Sequence, residues 1–175
     1  VVAFRMLPKL VWSIPPKGTI NLHASLLPAY RGAAPINWAI INQEKESGVT
    51  TFLIDEKIDT GNILLQEKIL LEKGETAGSL HDKLASLGGE VTIATLEALE
   101  KGIEAQPQRT NGTEKDAPKL TKENTRIDWN KSLDKIEAHI NGLSPYPVAW
   151  TELCENKKTA RLKIFSAKVE LCSHN

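Results

Sequence analysis

The chain has 175 residues and zero formal net charge, with 41% hydrophobic and 25% charged residues. These values are typical of a soluble globular protein of one domain, or of one domain and part of a second. Every apolar run is shorter than the about 20 residues of a membrane-spanning helix, so we expect no membrane partner. Cys154 and Cys172 lack the spacing of a zinc site or a disulfide framework, which favours a reducing, cytoplasmic setting.

Strands and helices alternate over the first hundred residues. Residues 1–4 predict a buried strand that is already under way, so we expect the N-terminal part of the protein to be missing. The chain then predicts strands at residues 19–24, 49–54 and 63–71, and helices at residues 8–14, from Pro35 to Gly48, and from an N-cap at Thr76 to Gly102. Such alternation predicts an α/β fold with a mostly parallel sheet covered by helices.

A polar stretch at residues 105–122 predicts a linker between a first unit, residues 1–104, and a second unit, residues 123–175. The second unit is predicted to hold a helix at residues 132–142 and strands at residues 149–153 and 160–171. Two strands make a poor independent domain, so we expect this unit to be cut short as well.

Charge is divided unevenly along the chain. Up to Pro118 there are 12 basic and 15 acidic residues, and from Lys119 onward there are 10 and 7. A basic C-terminal segment can contact nucleic acid, but charge alone favours a solvated β-surface. The residues that carry most of the excess are Lys157, Lys158, Arg161, Lys163 and Lys168.

Asn21 and His23 lie two positions apart at the end of a predicted strand, so they share one face of it. An amide can donate to an oxyanion and an imidazole can move a proton near neutral pH, which suits a reaction at a carbonyl. Asp59, in a Gly-containing loop after a neighbouring strand, could orient the imidazole or a water. We expect these groups to meet at the carboxyl ends of parallel strands.

Other residues near these positions have weaker signals. Ser25 lacks the sequence of a nucleophile elbow, so direct transfer between two bound substrates fits better than a covalent intermediate. Arg31 could pair with an anionic substrate. The loop from Asp55 to Gly61 is acidic, but no matching His or Asp cluster supports a metal site, and none is predicted.

Three segments resemble the folate-dependent formyltransferases: Asn-Leu-His-Ala-Ser-Leu-Leu-Pro at residues 21–28, Tyr-Arg-Gly-Ala-Ala-Pro-Ile at residues 30–36, and Ile-Asp-Thr-Gly-Asn-Ile-Leu at residues 58–64. Residues 127–129 and 142–150 resemble the opening of that family's C-terminal domain. The resemblance covers most of the chain. It includes the family's spacing of Asn, His and Asp, which Asn21, His23 and Asp59 keep.

The resemblance implies a Rossmann-like formyltransferase domain, followed by the start of an OB-like β-barrel that binds tRNA. It implies transfer of a formyl group from 10-formyltetrahydrofolate, a co-substrate, to the amine of methionyl initiator tRNA, by a monomeric enzyme. Asn21, His23 and Asp59 would be catalytic, and Arg31 would contact the acceptor. The residues that would bind folate are Ser25, Leu26, Leu27, Pro28, Asp55 and Ile58. The chain alone is expected to show little transfer.

Three alternatives stay open. The same chemistry could serve another amine, on glycinamide ribonucleotide or an amino sugar, or the hydrolysis or oxidation of formyl-folate. The Gly-Ala-Ala-Pro segment at residues 32–35 favours the tRNA acceptor. The chain could instead be an RNA-binding module with an inert first half. A dinucleotide-binding domain is disfavoured, because no Gly-x-Gly-x-x-Gly follows a strand.

Overall fold

The computed structural model describes residues 1–2, 7–110, 112, 114–155 and 158–170. Within these ranges the helices and strands follow one another in this order: α1 (Lys9–Trp12), β1 (Ile20–His23), β2 (Arg31–Gly32), α2 (Pro35–Ile41), β3 (Glu46–Leu53), β4 (Ile63–Leu70), α3 (Ala77–Glu100), β5 (Asp116–Ala117), α4 (Leu133–Gly142), β6 (Ala149–Glu155) and β7 (Lys158–Ile164). No helix in the described part of the chain is long and apolar enough to span a membrane.

The larger described sheet has the strand order β1-β3-β4, and both of its pairings are antiparallel. The prediction of a mostly parallel sheet is therefore wrong for the strands described here. Alternation of strands and helices does not encode the direction in which a strand returns. The loop between β3 and β4 is short and holds no helix, and such a connection joins antiparallel neighbours. The described parallel pairing is the two-residue contact of β2 with β5.

Gly48 lies inside β3, whereas the sequence predicted that it ends a helix. The helix α2 already ends at Ile41, and Gln43 in the following turn has a φ of 55°. A Cβ atom on Gly48 would lie 2.1 Å from the carbonyl oxygen of Glu67, so the backbone of β4 passes where a side chain would be. Glycine is needed for this close approach, and β3 can begin at Glu46.

The long helix α3 covers the sheet, as its periodicity predicts. The Thr76 hydroxyl accepts from the Ser79 backbone N–H, and the Ser79 side chain accepts from the Thr76 N–H, which gives a capping box. The residues of α3 that are buried recur every three or four positions: Ala77, Leu80, Leu84, Gly88, Val91 and Thr95. They form a core with the sheet and α2.

The stretch predicted as a linker is held against the first unit. Within it, β5 pairs with β2, and Gln106 exchanges backbone hydrogen bonds with Ile63 in β4. Gln106 and β5 are thus held on the first unit by backbone hydrogen bonds. The domain limits at residues 104 and 122 stay predictions.

The second unit contains α4 and the antiparallel hairpin of β6 and β7. A second core of Ile136, Ile140, Leu143 and other residues lies here, and Ile41 at the end of α2 packs against it. The OB-like barrel stays a prediction, since a single hairpin does not define one.

At the start of the chain, the expected buried strand is not formed by Val1 and Val2, which are exposed and have no regular structure. Its remaining residues, 3 and 4, lie outside the described residues, as does residue 171 of the last predicted strand. Lys157 of the basic segment lies outside them too.

Candidate active site

A cavity of about 460 Å³ opens on one face of β1. Asn21, His23 and Asp59 all line it, so the structure brings together the three residues that the sequence singled out. Asp55 and Ile58 line it too. Apolar residues also line the cavity, among them Ala33, Ala34, Pro35, Ile36 and Phe52. The cavity can therefore hold an organic ligand against a small polar set.

The strand β1 fixes Asn21 and His23 through its pairing with β3, opposite Phe52 and Thr50 respectively. They share one face, as the two-residue spacing predicts. His23 is 7% exposed. The side-chain oxygen of Asn21 is buried and has no hydrogen-bond partner among the described residues. A buried amide oxygen without a partner is costly, so this group is suited to meet a ligand in the cavity.

The hydrogen bonds of His23 define which of its nitrogens carries the hydrogen. Nε2 lies 2.8 Å from the carbonyl oxygen of Tyr30. A carbonyl only accepts, so Nε2 is the donor, and in the neutral ring Nδ1 has the lone pair. Nδ1 lies 3.7 Å from Oδ2 of Asp59. A proton taken up at Nδ1 would therefore be stabilised by the nearby carboxylate.

Asp59 reaches His23 by a different route from the predicted one. Because β1 and β3 are antiparallel, β3 ends beside Ile20, at the far end of β1 from His23. The loop after β3 folds back toward His23, and Asp59 within it has a φ of 53°. Its Oδ2 accepts a hydrogen bond of 2.9 Å from the backbone N–H of Gly32, which fixes the carboxylate beside the imidazole.

The residues from Ser25 to Pro28 do not line the cavity. Ser25 is 2% exposed, and its hydroxyl donates to the carbonyl of Ala29, while its own carbonyl accepts from Thr50. The Leu27 carbonyl accepts from the side chain of Gln66. This loop is packed on β3 and β4 and supports the end of β1.

Arg31 also lies away from the cavity lining. Its Nε donates to the Asp59 carbonyl at 3.0 Å, and its guanidinium donates to Oε1 of Gln108 at 2.5 Å from Nη2. These bonds do not test the predicted contact of Arg31 with the substrate that accepts the formyl group. They show that Nε and Nη2 of Arg31 already donate within the protein. A metal-ligating cluster of His, Cys, Asp or Glu is not found among the described residues.

Two features of the site had no sequence signal. Tyr30 acts through its carbonyl, with a left-handed φ of 60°, which no side-chain pattern reports. Gln108 belongs to the polar stretch that predicted a linker, where a glutamine resembles any solvated residue. The Tyr-Arg-Gly segment at residues 30–32 was the nearest hint, as a loop following the strand of His23.

The first unit is an α/β unit in which Asn21, His23 and Asp59 line one cavity, and comparison with known proteins identifies its family. The sequence profile described as "Formyl transferase" matches residues 1–96, and the profile "Formyl transferase, C-terminal domain" matches residues 119–175. The chain belongs to the formyl transferase family.

Among its curated relatives is the methionyl-tRNA formyltransferase of Flavobacterium johnsoniae, 56% identical over 170 residues, which are 97% of this chain and 54% of that protein. The methionyl-tRNA formyltransferase of Phocaeicola vulgatus is 49% identical over 180 residues, 99% of this chain and 56% of that protein. The chain thus spans about half the length of these relatives.

Two solved structures have a similar fold. HypX from Aquifex aeolicus in complex with tetrahydrofolic acid has a TM-score of 0.71 at 23% identity, over 83% of this chain and 25% of that one. An N-formyltransferase from Helicobacter canadensis, in complex with folinic acid and dTDP-3-aminofucose, has a TM-score of 0.65 at 27% identity, over 78% of this chain and 55% of that one. The Rossmann-like formyltransferase fold of the first unit follows from the profile match together with these structures.

Proposed function

We propose that this chain carries the catalytic centre for transfer of a formyl group from 10-formyltetrahydrofolate to the amine of methionyl initiator tRNA. The observation that carries the proposal is the arrangement of His23 and Asp59 in the cavity, with Nδ1 of the imidazole 3.7 Å from the carboxylate. Relatives named methionyl-tRNA formyltransferase, at 49 to 56% identity, support this acceptor over other amines.

The proposed reaction begins with attack of the amine nitrogen on the formyl carbon, which forms a C–N bond and an oxyanion. The Asn21 amide N–H donates to this oxyanion. Nδ1 of His23 accepts the proton that the amine nitrogen loses, and Asp59 stabilises the imidazolium. Collapse of the intermediate breaks the bond from the formyl carbon to the folate nitrogen, which receives the proton from His23.

For the folate, we propose contacts from Asp55 and Ile58, because both line the cavity beside Asp59. The Lys57 N–H and the Thr60 hydroxyl both bond the Asp55 carboxylate, which holds this loop in one conformation. The loop of Ser25, Leu26, Leu27 and Pro28 makes its hydrogen bonds within the protein. For these four residues we therefore propose that they support the end of β1 and do not contact the folate.

For the tRNA, we propose that the basic segment from Lys119 onward contacts the phosphate backbone. Arg161 and Arg126 lie 4.4 Å and 5.4 Å from the centre of the Trp150 ring, and Lys122 lies 5.7 Å from it. Three cationic side chains from different segments thus lie around the Trp150 ring. A local concentration of positive charge of this kind is what binding to nucleic-acid phosphates requires.

Replacing His23 tests the proposal. The variant His23→Ala is expected to lose at least about 100-fold in formyl transfer, because it removes the proton acceptor, while binding of methionyl-tRNA is retained. The assay uses the complete reading frame that contains this chain, with formyl-folate and charged tRNA. The matched control is His81→Ala, at an exposed position of α3.

Unchanged transfer in His23→Ala would exclude His23 as the catalyst. Faster transfer to glycinamide ribonucleotide or an amino-sugar nucleotide than to methionyl-tRNA would move the function to another acceptor. Loss of tRNA binding without loss of transfer to a small amine would show that His23 serves only binding.

A further inference from the structure

We infer that Gln108 is a positioning residue for Asp59, and that it acts together with Arg31. The inference rests on the proposed function, since it concerns the carboxylate that faces the imidazole of His23. Gln108 lies 49 positions after Asp59 in sequence and in the segment that joins the two units. It does not line the cavity.

Both ends of the Gln108 amide are used. Nε2 donates to the carbonyl oxygen of Asp59 at 2.9 Å and to that of Gly61 at 2.8 Å. Oε1 accepts from Nε and Nη2 of Arg31, at 3.2 Å and 2.5 Å. Arg31 Nε also donates to the Asp59 carbonyl at 3.0 Å. The Asp59 carbonyl therefore receives two donors, one from each side chain.

This arrangement requires an amide. A carboxylate at position 108 could accept from Arg31 but could not donate to the two carbonyls, and an apolar chain could do neither. Asp59 needs this support because its backbone is left-handed, a conformation that is unfavourable for a residue with a side chain.

The position of the Asp59 carboxylate relative to His23 depends on one further hydrogen bond, from the Gly32 N–H. With the turn of Asp59 and Gly61 held, the Asp59 carboxylate can accept from the Gly32 N–H at 2.9 Å. Gly32 is tied to the same joining segment, because β2 pairs with β5. Gln108 thus holds the turn that carries Asp59, and β5 holds the strand that carries the Gly32 donor. Together these contacts set the distance from the carboxylate to His23.

The test compares Gln108→Met with Gln106→Met in the complete reading frame. Methionine has the length of glutamine but makes none of these hydrogen bonds. Among the described residues, the exposed side chain of Gln106 bonds only the nearby Glu104 carbonyl. In Gln108→Met, the Gly32 amide hydrogen is expected to exchange about tenfold faster. The kcat for formyl transfer is expected to fall about 10- to 100-fold, and KM to change less than about twofold. In Gln106→Met all three should stay at the wild-type values.

A second pair of variants asks whether Gln108 acts through Asp59. If it does, Asp59→Asn combined with Gln108→Met is no slower than Asp59→Asn alone. Multiplicative losses would overturn the inference, as would an unchanged Gly32 exchange rate in a folded Gln108→Met. Should Gln108→Met fail to fold, Gln108→Asn is used instead, because it keeps the amide but shortens its reach. Its Gly32 exchange rate and its kcat, alone and combined with Asp59→Asn, are then measured in the same way.

The outcomes separate this inference from the proposed function. Full activity in Asp59→Asn would overturn the proposed chemistry. The Gly32 exchange rate would still decide whether Gln108 positions Asp59, because that measurement needs no substrate.

Discussion

Tyr30 contributes to the candidate site through two groups on different sides of its backbone. Its carbonyl accepts from His23, and its phenol donates to Oε1 of Glu44 and accepts from Asn42. Burial, followed by the hydrogen bond to Glu44, raises the pKa of Tyr30, so the phenol stays protonated and remains a donor. The carbonyl that orients His23 is thus anchored by an ordered polar network.

Glu44 gives this network a dependence on pH. Burial opposes ionisation of Glu44, but hydrogen bonds from Lys115 and Tyr30 outweigh it and hold its pKa below 4.5. A carboxyl with a lowered pKa in the folded state stabilises the protein above its unfolded pKa. That stabilisation is lost as pH falls below 4.5 through the folded pKa.

Replacement of Glu44 by glutamine tests this. We expect Glu44→Gln to lower the free energy of unfolding by about 1 kcal/mol at pH 7, because the charge-assisted bonds are weakened. The difference from wild type should shrink as pH falls below 4.5, measured by urea unfolding at several pH values. Glu90→Gln, at an exposed position of α3, should show no such dependence. A difference that stays constant down to pH 3 would contradict this account.

At the residue scale, sequence could predict the side chains that meet the cavity but not those that hold them. Asn21 and His23 were predictable because the two-residue period of a strand fixes their shared face. Asp59 was proposed from its place in a loop after a neighbouring strand, and the family's spacing supports it, but no local pattern encodes the path by which this loop folds back toward His23. Gln108 joins the site through backbone carbonyls, and side-chain contacts to carbonyls leave no pattern in the sequence.

At the element scale, α3 shows how the neighbours of a helix decide the meaning of a glycine. A Cβ atom on Gly88 would lie 2.8 Å from Cδ2 of Leu22 in β1, whereas one on Gly89 would have no atom within 4 Å. The sequence predicts one helix from Thr76 to Gly102, and α3 does continue through both glycines. The sequence could not tell the two glycines apart, because only the fold brings Leu22 next to one of them.

We therefore expect opposite results from two alanine substitutions. Gly89→Ala should raise the free energy of unfolding by about 0.5 to 1 kcal/mol, because alanine loses less backbone entropy in a helix. Gly88→Ala should fall short of that gain by at least about 1 kcal/mol, because Leu22 must shift. Both values come from urea unfolding, with each variant serving as the control for the other. Equal gains would mean that α3 does not press on β1.

Strand direction is the element-scale property that the sequence could not supply. Most predicted strands and helices are found in the described residues, because periodicity and caps are local. The exceptions are the first strand, which Val1 and Val2 do not form, and the helix predicted to reach Gly48, which ends at Ile41. Whether β3 runs with or against β1 depends on how the chain crosses between them, and a helix in between allows either. The close approach of Gly48 to Glu67 adds a contact that favours the antiparallel hairpin of β3 and β4.

At the scale of the whole molecule, the two units meet where α2 crosses α4. The Asn37 side chain donates to the Gly142 carbonyl at 2.8 Å, and the Trp38 indole donates to the Pro118 carbonyl at 2.7 Å. Asn37 also lines the cavity. The second unit is therefore connected to the candidate site by α2 as well as by the segment that carries Gln108.

Gly142 makes this contact a sensitive one. A Cβ atom there would lie 2.6 Å from Cγ1 of Ile41 and 3.0 Å from the carbonyl oxygen of Asn37, so α2 would have to move. We expect Gly142→Ala to lower the free energy of unfolding by about 1 to 3 kcal/mol. Because Asn37 moves with α2, kcat should fall as well. Gly89→Ala controls for the intrinsic gain of alanine in a helix.

Hydrogen exchange distinguishes coupled units from units that merely touch. If the α2–α4 contact joins them into one cooperative structure, Gly142→Ala should speed exchange of buried amides in both α2 and α4. If the units are independent, only amides near position 142 should exchange faster, and kcat should stay at the wild-type value. A stability gain equal to that of Gly89→Ala would mean that the close approach of the two helices is not maintained in solution.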